Sequence, residues 1–215
     1  MKTMSTKKIA TAGMTVALCL VATILFRFPL VPAVSFLRFD GKDTIIAIAG
    51  FLYGPGYAFL ITVMSSLLEP FFTGNATWVD ILMNILSSAS FAVVASWWYR
   101  RHHDKKGAVN GLIAGTLMTI IAMTLWNYIV DPFYFHMPRE AVAVMLGPIA
   151  LFNLLKCGLN SGITLFVYKP VVSALRQRNL APSGAPAGKG RSMEAAGAFV
   201  IVTVILFALA LSGAI

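Results

Sequence analysis

The sequence predicts an all-α integral membrane protein, a compact bundle of six transmembrane helices with an additional C-terminal helix. Of its 215 residues, 58% are apolar and 12% are charged, whereas soluble domains are about 45–50% apolar and 25% charged. The apolar residues form long blocks separated by short charged clusters, which is the pattern of helices that cross a bilayer core of about 30 Å. Six or seven such helices with short loops fill the chain, which excludes a separate soluble catalytic domain.

The first half of the chain predicts three helices. A short basic N-terminus precedes the first apolar block, residues 9–26, and residues 27–43 contain two prolines and mixed charges, which favours an external loop. Two short blocks, 44–53 and 57–68, flank a Gly-Pro-Gly turn, and neither is long enough alone to cross the membrane. These two blocks predict a tight helical hairpin.

Three further blocks predict the fourth, fifth and sixth helices, at residues 80–99, 109–129 and 146–167. Residues 69–79 and 130–145 lie between blocks and carry proline and acidic residues, so we expect them to form external loops.

The predicted organisation has three parts. A six-helix membrane domain spans 1–176, a flexible cytoplasmic linker rich in Pro, Gly, Ala and Arg spans 177–193, and an additional hydrophobic helix spans 194–215.

The basic residues indicate which helix ends face the cytoplasm. Twelve of the 17 Lys and Arg residues fall in segments predicted on one side and four in segments on the other, with Lys156 inside a block. By the positive-inside rule the richer side and the N-terminus are cytoplasmic, which predicts a multi-pass protein with its N-terminus inside the cell. Because these residues lie at the ends of apolar blocks rather than on one folded face, the net charge of +9 does not favour nucleic-acid binding.

Lys156 is the most informative polar residue, because it lies near the middle of an apolar block. A lysine at such a depth is costly and normally faces a polar cavity or a partner. Asn153 precedes it by three positions, so both side chains project from one helical face. The alternative is that Lys156 snorkels to the nearest headgroups. We interpret Lys156 and Asn153 as a ligand-facing pair.

Other polar residues have a structural interpretation beside the functional one. Asn84, Asn127 and Asn160 place amides within predicted helices, and each could simply hydrogen-bond a neighbouring helix. Asp40 and Asp43 are expected to cap the N-terminus of the second helix unless a ligand reaches them.

The sequence lacks the patterns of membrane enzymes and of self-powered pumps. It has no Gly-rich phosphate loop followed by Lys and Ser or Thr, and no carboxylates, histidines or serines spaced for catalysis or metal binding. Its carboxylates lie at predicted helix boundaries, unlike those of most ion-coupled carriers. A binding subunit with no catalytic or metal site fits best, and a small membrane enzyme or a structural scaffold is the rival interpretation.

Five sequence stretches occur together over about residues 8–176. They are 37–43, 50–56, Met83 and Asn84 with Ser87 and Ser88, Asn127 and Tyr128, and 152–156 followed by Tyr168 and Lys169. With these stretches the chain resembles the substrate-binding S components of energy-coupling factor (ECF) vitamin transporters, and most of all their riboflavin-specific branch.

The resemblance implies a six-helix bundle that holds a vitamin near its outer face, beneath the first and fifth loops. In riboflavin-binding members an Asn-x-x-Lys pair of the sixth helix and an Asn of the fifth contact the ligand. The predicted ligand-binding residues are Asn127, Asn153, Lys156, Asp40, Phe39, Asn84, Tyr128 and Phe152. A flavin offers acceptors and an imide N–H to the ammonium and amides, and flat faces to Phe39, Phe152 and Met123.

The resemblance also implies a location in a bacterial-type cell membrane, and it implies partners. Family members dock through small residues of the first helix on a transmembrane coupling protein, which two ATPase subunits drive. Gly13 and Ala17 are the nearest match, and small residues four apart let helices approach closely. The implied function is uptake of riboflavin as a transported ligand, without a cofactor, and another vitamin such as thiamine or pantothenate is the alternative. Six helices suffice for the family, so the helix at 194–215 is an addition.

Overall fold

The computed structural model confirms an all-α architecture, and it describes residues 6–74, 77–177 and 192–211. The described helices are α1 (Thr6–Leu25), α2 (Lys42–Tyr53), α3 (Pro55–Thr73), α4 (Trp78–Arg101), α5 (Lys105–Tyr134), α6 (Arg139–Gln177) and α7 (Ser192–Leu211). Five of them, α1 and α3 to α6, are long and apolar enough to cross a membrane. The chain is therefore a multi-pass membrane protein.

A small hairpin joins α1 to α2. Its strands β1 (Phe28–Pro29) and β2 (Arg38–Phe39) pair antiparallel and flank one turn of 3-10 helix, Pro32–Val34. We call the end of the bundle that carries this hairpin the hairpin end. The turns between α2 and α3 and between α4 and α5 lie together at the opposite end, where Gly54 approaches Arg100. Successive connections between helices therefore lie at opposite ends of the bundle, which agrees with the predicted order of crossings.

The predicted turn between α2 and α3 is confirmed and depends on Gly54. This residue has φ 97°, which L-residues rarely adopt, and its backbone N–H donates to the carbonyl of Gly50 to end α2. Pro55 follows at the first position of α3, where its missing N–H leaves no helical bond unmade.

The predicted capping of α2 is wrong. The N-cap of α2 is Gly41, and no side chain caps it. Asp40 and Asp43 instead turn towards α6, where they meet Lys156.

The two long external loops are also wrong in extent. Helix α3 continues through Pro70 to Thr73, and α5 continues through Pro132 to Tyr134. Proline and charge near a helix end are local signals of a loop, but Glu69 and Asp131 are both buried in these last turns. Tertiary packing holds the turns that the local pattern assigned to loops.

Helices α4 and α5 meet backbone to backbone. Gly111 and Gly115 of α5 face the carbonyls of Ala95 and Phe91, and a Cβ at either glycine would overlap them. The contact with Phe91 falls in a short π-helical turn of α4, Ala89–Val93. This junction fixes the wall of the bundle that carries Met83 and Met123.

The additional helix α7 begins at Ser192 and runs along α6. The predicted linker falls mostly on residues 178–191, which lie outside the described part of the chain, as do residues 212–215. The division into three parts stays a prediction.

We expect Gly115→Ala to lower the thermal stability of the detergent-solubilised protein and Gly56→Ala to leave it unchanged or slightly higher. The new methyl group at residue 115 would press on the Phe91 carbonyl, and overpacking costs about 1–3 kcal/mol. At Gly56 a Cβ meets nothing within 4 Å, and alanine forms helix better than glycine. Thermal unfolding followed by circular dichroism compares the two variants, and equal midpoints would contradict the close contact.

Candidate ligand-binding site

A cavity of about 90 Å³ lies at the hairpin end, between the hairpin and helices α3 to α6. Its lining combines charged, amide and apolar side chains: Arg27, Phe36, Leu37, Arg38, Phe39, Asp40, Glu69, Pro70, Thr73, Asp80, Met83, Asn84, Ser87, Met123, Phe152, Asn153 and Lys156. Six of the eight predicted ligand-binding residues are among them. Asn127 and Tyr128 are not.

Lys156 enters this cavity from α6 and is held by two carboxylates. Its Nζ lies 3.1 Å from Asp40 Oδ2 and 3.3 Å from Asp43 Oδ2, and its side chain is 5% exposed. Asp40 precedes α2 and Asp43 lies in the first turn of α2. Because the ammonium is buried between these two groups, it does not snorkel to the headgroups, and its charge is compensated within the bundle.

A second buried ion pair joins Lys42 of α2 to Glu69 of α3. Both side chains are almost fully buried. Sequence reasoning missed this pair because Lys42 was assigned to an external loop and Glu69 to the start of another. The sequence does contain a signal, because a lysine stands between two acids at residues 40–43. In the structure the lysine pairs with α3 and the two acids pair with α6.

We call Asp40, Lys42, Asp43, Glu69 and Lys156 the charge cluster. It contains two ammonium groups and three carboxylates, all buried. Moving such charges out of water is expensive, and removing one member leaves its partner uncompensated. The cluster therefore ties the start of α2 to both α3 and α6.

The electrostatics of Asp40 follow from this setting. Burial alone would raise the pKa of its carboxyl group, but the Lys156 ammonium, with Lys42 nearby, holds the pKa below its ordinary value. Asp40 is therefore an anion at neutral pH. Its Oδ2 meets Lys156, whereas its buried Oδ1 has no hydrogen-bond partner in the described part of the chain. That oxygen can accept a hydrogen bond from a ligand in the cavity.

The amide of Asn160 has a structural role. Its Oδ1 accepts a hydrogen bond of 2.8 Å from Thr44 Oγ1, and its Nδ2 donates to the carbonyl of Asp40 at 3.3 Å. Asn160 thus fastens α6 to the start of α2, which is the structural alternative that the sequence left open.

The remaining predicted amides lie at different distances from the cavity. Asn84 and Asn153 line it, and Asn153 Nδ2 also donates to the carbonyl of Ile149 at 2.9 Å. Asn127 is buried but does not line the cavity; its Nδ2 donates to the carbonyl of Met123, and its Oδ1 has no hydrogen-bond partner among the described residues. Tyr128 is 42% exposed and is not among the residues that line the cavity, so its contact with a ligand stays a prediction.

Apolar side chains from the hairpin, α5 and α6 form part of the cavity lining. Phe39 of β2 packs on Phe28 with ring centroids 5.1 Å apart, and Phe152 and Met123 are buried on α6 and α5. These side chains offer aromatic and thioether surfaces to a planar ligand. The rings of Phe36 and Phe135 also pack together, with centroids 5.7 Å apart, so the hairpin contacts the connection between α5 and α6.

The predicted docking residues lie elsewhere. Gly13 and Ala17 are exposed on α1 and border an apolar groove of about 450 Å³ between α1 and α3. We call it the α1–α3 groove, and it is lined by Ile9, Ala12, Gly13, Val16, Ala17, Leu20, Leu60, Ile61, Met64 and Leu68. A Cβ at Gly13 would meet no described residue within 4 Å, so the described part of the chain leaves this face open to a partner helix.

Comparison with known protein families decides the class of this chain. Residues 7–168 match the substrate-specific component of ECF transporters. The chain belongs to this family. It is therefore an S component, a transporter subunit, and the resemblance inferred from the sequence is confirmed.

Individual relatives support the same family assignment. This S component is 26% identical over 162 residues to riboflavin transporter RibU of Streptococcus thermophilus, across 71% of this chain and 77% of the relative. It is 25% identical over 165 residues to riboflavin transporter FmnP of Bacillus subtilis, across 71% and 85%. A structure described as the S component of a bacterial ECF transporter matches with a TM-score of 0.69 and 25% identity, over 79% of this chain and 98% of that chain.

We expect Glu69→Gln to destabilise the protein far more than Glu194→Gln, although both replacements remove one carboxylate from an ion pair. Glu69 is buried against Lys42, whereas Glu194 lies 33% exposed at 3.3 Å from a partly exposed Lys169. Breaking a buried pair costs about 3–5 kcal/mol, and an exposed pair contributes about 0–1 kcal/mol. Thermal unfolding in one detergent measures both, and similar losses in the two variants would contradict a buried charge cluster.

Proposed function

We propose that this S component binds riboflavin in the cavity at the hairpin end and delivers it across the membrane together with an ECF coupling protein and two ATPase subunits. The observation that carries this proposal is the lining of the cavity, which combines the ammonium of Lys156 and the amide of Asn153 with the apolar surfaces of Phe39 and Phe152. The names of the relatives support the same vitamin.

The chemistry of a flavin suits this lining. The ring system is planar and apolar on both faces, and its edge carries carbonyl and ring-nitrogen acceptors together with one imide N–H. The ammonium of Lys156 and the amide of Asn153 can donate to the acceptors, and Asp40 Oδ1 can accept from the imide or from a ribityl hydroxyl. Phe39, Phe152 and Met123 would lie against the ring.

The size of the cavity requires the hairpin to move. Ligand pockets for molecules of this class measure about 300–1,000 Å³, and the cavity holds about 90 Å³. Helix α5 packs against both α4 and α6, whereas the hairpin contains only two short strands and one 3-10 turn. Riboflavin therefore enters by displacing the hairpin, the first of the two loops expected to cover the site.

The direction of transport follows from charge. The opposite end of the bundle carries Arg100, Arg101 and Lys105, and the positive-inside rule assigns that end to the cytoplasm. The hairpin end and the cavity then face outwards, and the N-terminus of α1 is cytoplasmic. Because the chain has no phosphate loop of its own, the energy for delivery comes from the partner ATPases.

We expect Asn153→Ala to weaken riboflavin binding by about tenfold or more, which corresponds to about 1.4 kcal/mol. Asn153 is the better probe, because Lys156→Ala would also strand two buried carboxylates and destabilise the fold. Lys156→Arg keeps the charge but changes the donor geometry, so it should weaken binding while preserving much of the stability.

The measurement is quenching of riboflavin fluorescence on titration with purified protein. Matched controls are Asn110→Ala and Lys169→Arg, at exposed positions away from the cavity, and both should bind like wild type. Wild-type affinity in Asn153→Ala and Lys156→Arg would reject the proposed site. Binding of thiamine or pantothenate in preference to riboflavin would reject the proposed vitamin.

For coupling, we propose that the α1–α3 groove receives a helix of the coupling protein. Ala17→Trp should abolish riboflavin uptake in cells that contain the partner subunits while leaving riboflavin binding by the purified protein intact, because the indole would fill the groove. Leu18→Trp is the control, since Leu18 is exposed on α1 but does not line the groove. Uptake at the wild-type rate in Ala17→Trp would contradict docking at this groove.

A further inference from the structure

Helix α7 lies outside the segment that matches the family, residues 7–168, yet it is packed into the bundle. Gly162 of α6 and Gly197 of α7 face each other. A Cβ on Gly162 would lie 3.0 Å from the carbonyl oxygen of Gly197, and a Cβ on Gly197 would lie 2.6 Å from that of Gly162. The two backbones are therefore in direct contact, as at other small-residue helix interfaces in membranes.

Contacts on either side of this crossing fix the register of α7. Towards the opposite end of the bundle, Lys169 of α6 pairs with Glu194 at 3.3 Å. Towards the hairpin end, Gly158 of α6 approaches Val204. The helices are antiparallel, and the register carries Val204 to the level of the hairpin.

Val204 then enters the apolar cluster that surrounds the candidate site. It is 9% exposed and shares one buried cluster with Leu159 of α6, Leu30 and Val34 of the hairpin, and the cavity-lining Phe39 and Phe152. Packed apolar side chains therefore connect α7 with the cavity.

An apolar cleft of about 500 Å³ separates the hairpin from the last turns of α7. We call it the α7 cleft, and it is lined by Phe28, Pro29, Leu30, Pro32, Ser35, Leu159, Val204, Ile205 and Leu209. The hairpin thus has the small ligand cavity on one side and this larger space on the other. A displaced hairpin can recede into the cleft until it meets α7.

We infer that α7 is a positioning element for the ligand site: it forms the wall that limits how far the hairpin recedes, and so slows the exchange of the ligand. The inference rests on the proposed function for the identity of the ligand. The wall itself is a property of the ligand-free protein. A helix that served only to anchor the chain in lipid would need neither the glycine contact nor the buried Val204.

The first test displaces α7. Gly162→Leu puts a side chain into the backbone of α7, whereas Gly147→Leu adds the same side chain to α6 at a position where a Cβ meets nothing within 4 Å. Hydrogen–deuterium exchange of the full-length, ligand-free protein should show amides 30–39 exchanging about tenfold faster in Gly162→Leu than in wild type, with amides of α4 and α5 unchanged. Gly147→Leu should match wild type throughout.

The second test leaves the contact between Gly162 and Gly197 intact. It therefore still tests the role of α7 if Gly162→Leu fails to fold. Val204→Ala removes two methyl groups from the buried cluster, and Val202→Ala removes the same groups from a residue that is 55% exposed on α7. Riboflavin should dissociate several-fold faster from Val204→Ala, and its hairpin amides should exchange faster. Val202→Ala should behave as wild type.

The outcomes separate the two proposals. Equal hairpin exchange in Val204→Ala and Val202→Ala, or faster exchange spread over α4 and α5, overturns the role of α7. If the wild-type protein binds no riboflavin, the proposed function fails, and the exchange of the hairpin amides still decides whether α7 limits the hairpin.

Discussion

The charge cluster is the constraint on which the hairpin end of this S component depends. Lys156 on α6 lies between Asp40 and Asp43, and Lys42 beside them pairs with Glu69 on α3. None of these charges could remain buried alone, because each would lose its hydration without compensation. Together they join the start of α2 to α3 and α6. Helix α2 is only 12 residues long.

The same cluster prepares the cavity for a ligand. The two carboxylates hold the Lys156 ammonium at the cavity wall, and Asp40 retains one oxygen that has no partner among the residues the structure describes. A ligand that meets Lys156 therefore finds a donor and an acceptor already oriented, so little ordering is left to be done on binding. The hairpin closes the other side of the site, and its apolar side chains share one buried cluster with side chains of α6 and α7.

Much of the bundle could be predicted from local pattern. Apolar blocks located the helices, the Gly-Pro-Gly turn located the junction of α2 and α3, and the depth of Lys156 marked the helix face that borders the cavity. The ends of α3 and α5 could not be predicted, because Pro70 and Pro132 resemble loop residues locally. Asn127 and Tyr128 are neighbours on α5, but Asn127 is buried and Tyr128 is partly exposed, so the pair does not share one face of the helix.

The sequence by itself determined the membrane class, the order of crossings and the presence of a buried lysine, because hydropathy and charge act through composition and spacing along the chain. Only the tertiary structure decided which carboxylates compensate that lysine, that Lys42 is buried against Glu69, and that α7 approaches α6 at Gly162. Ion pairs and backbone contacts of this kind join residues that are distant in sequence. Their partners are selected by geometry, which spacing along one chain does not encode.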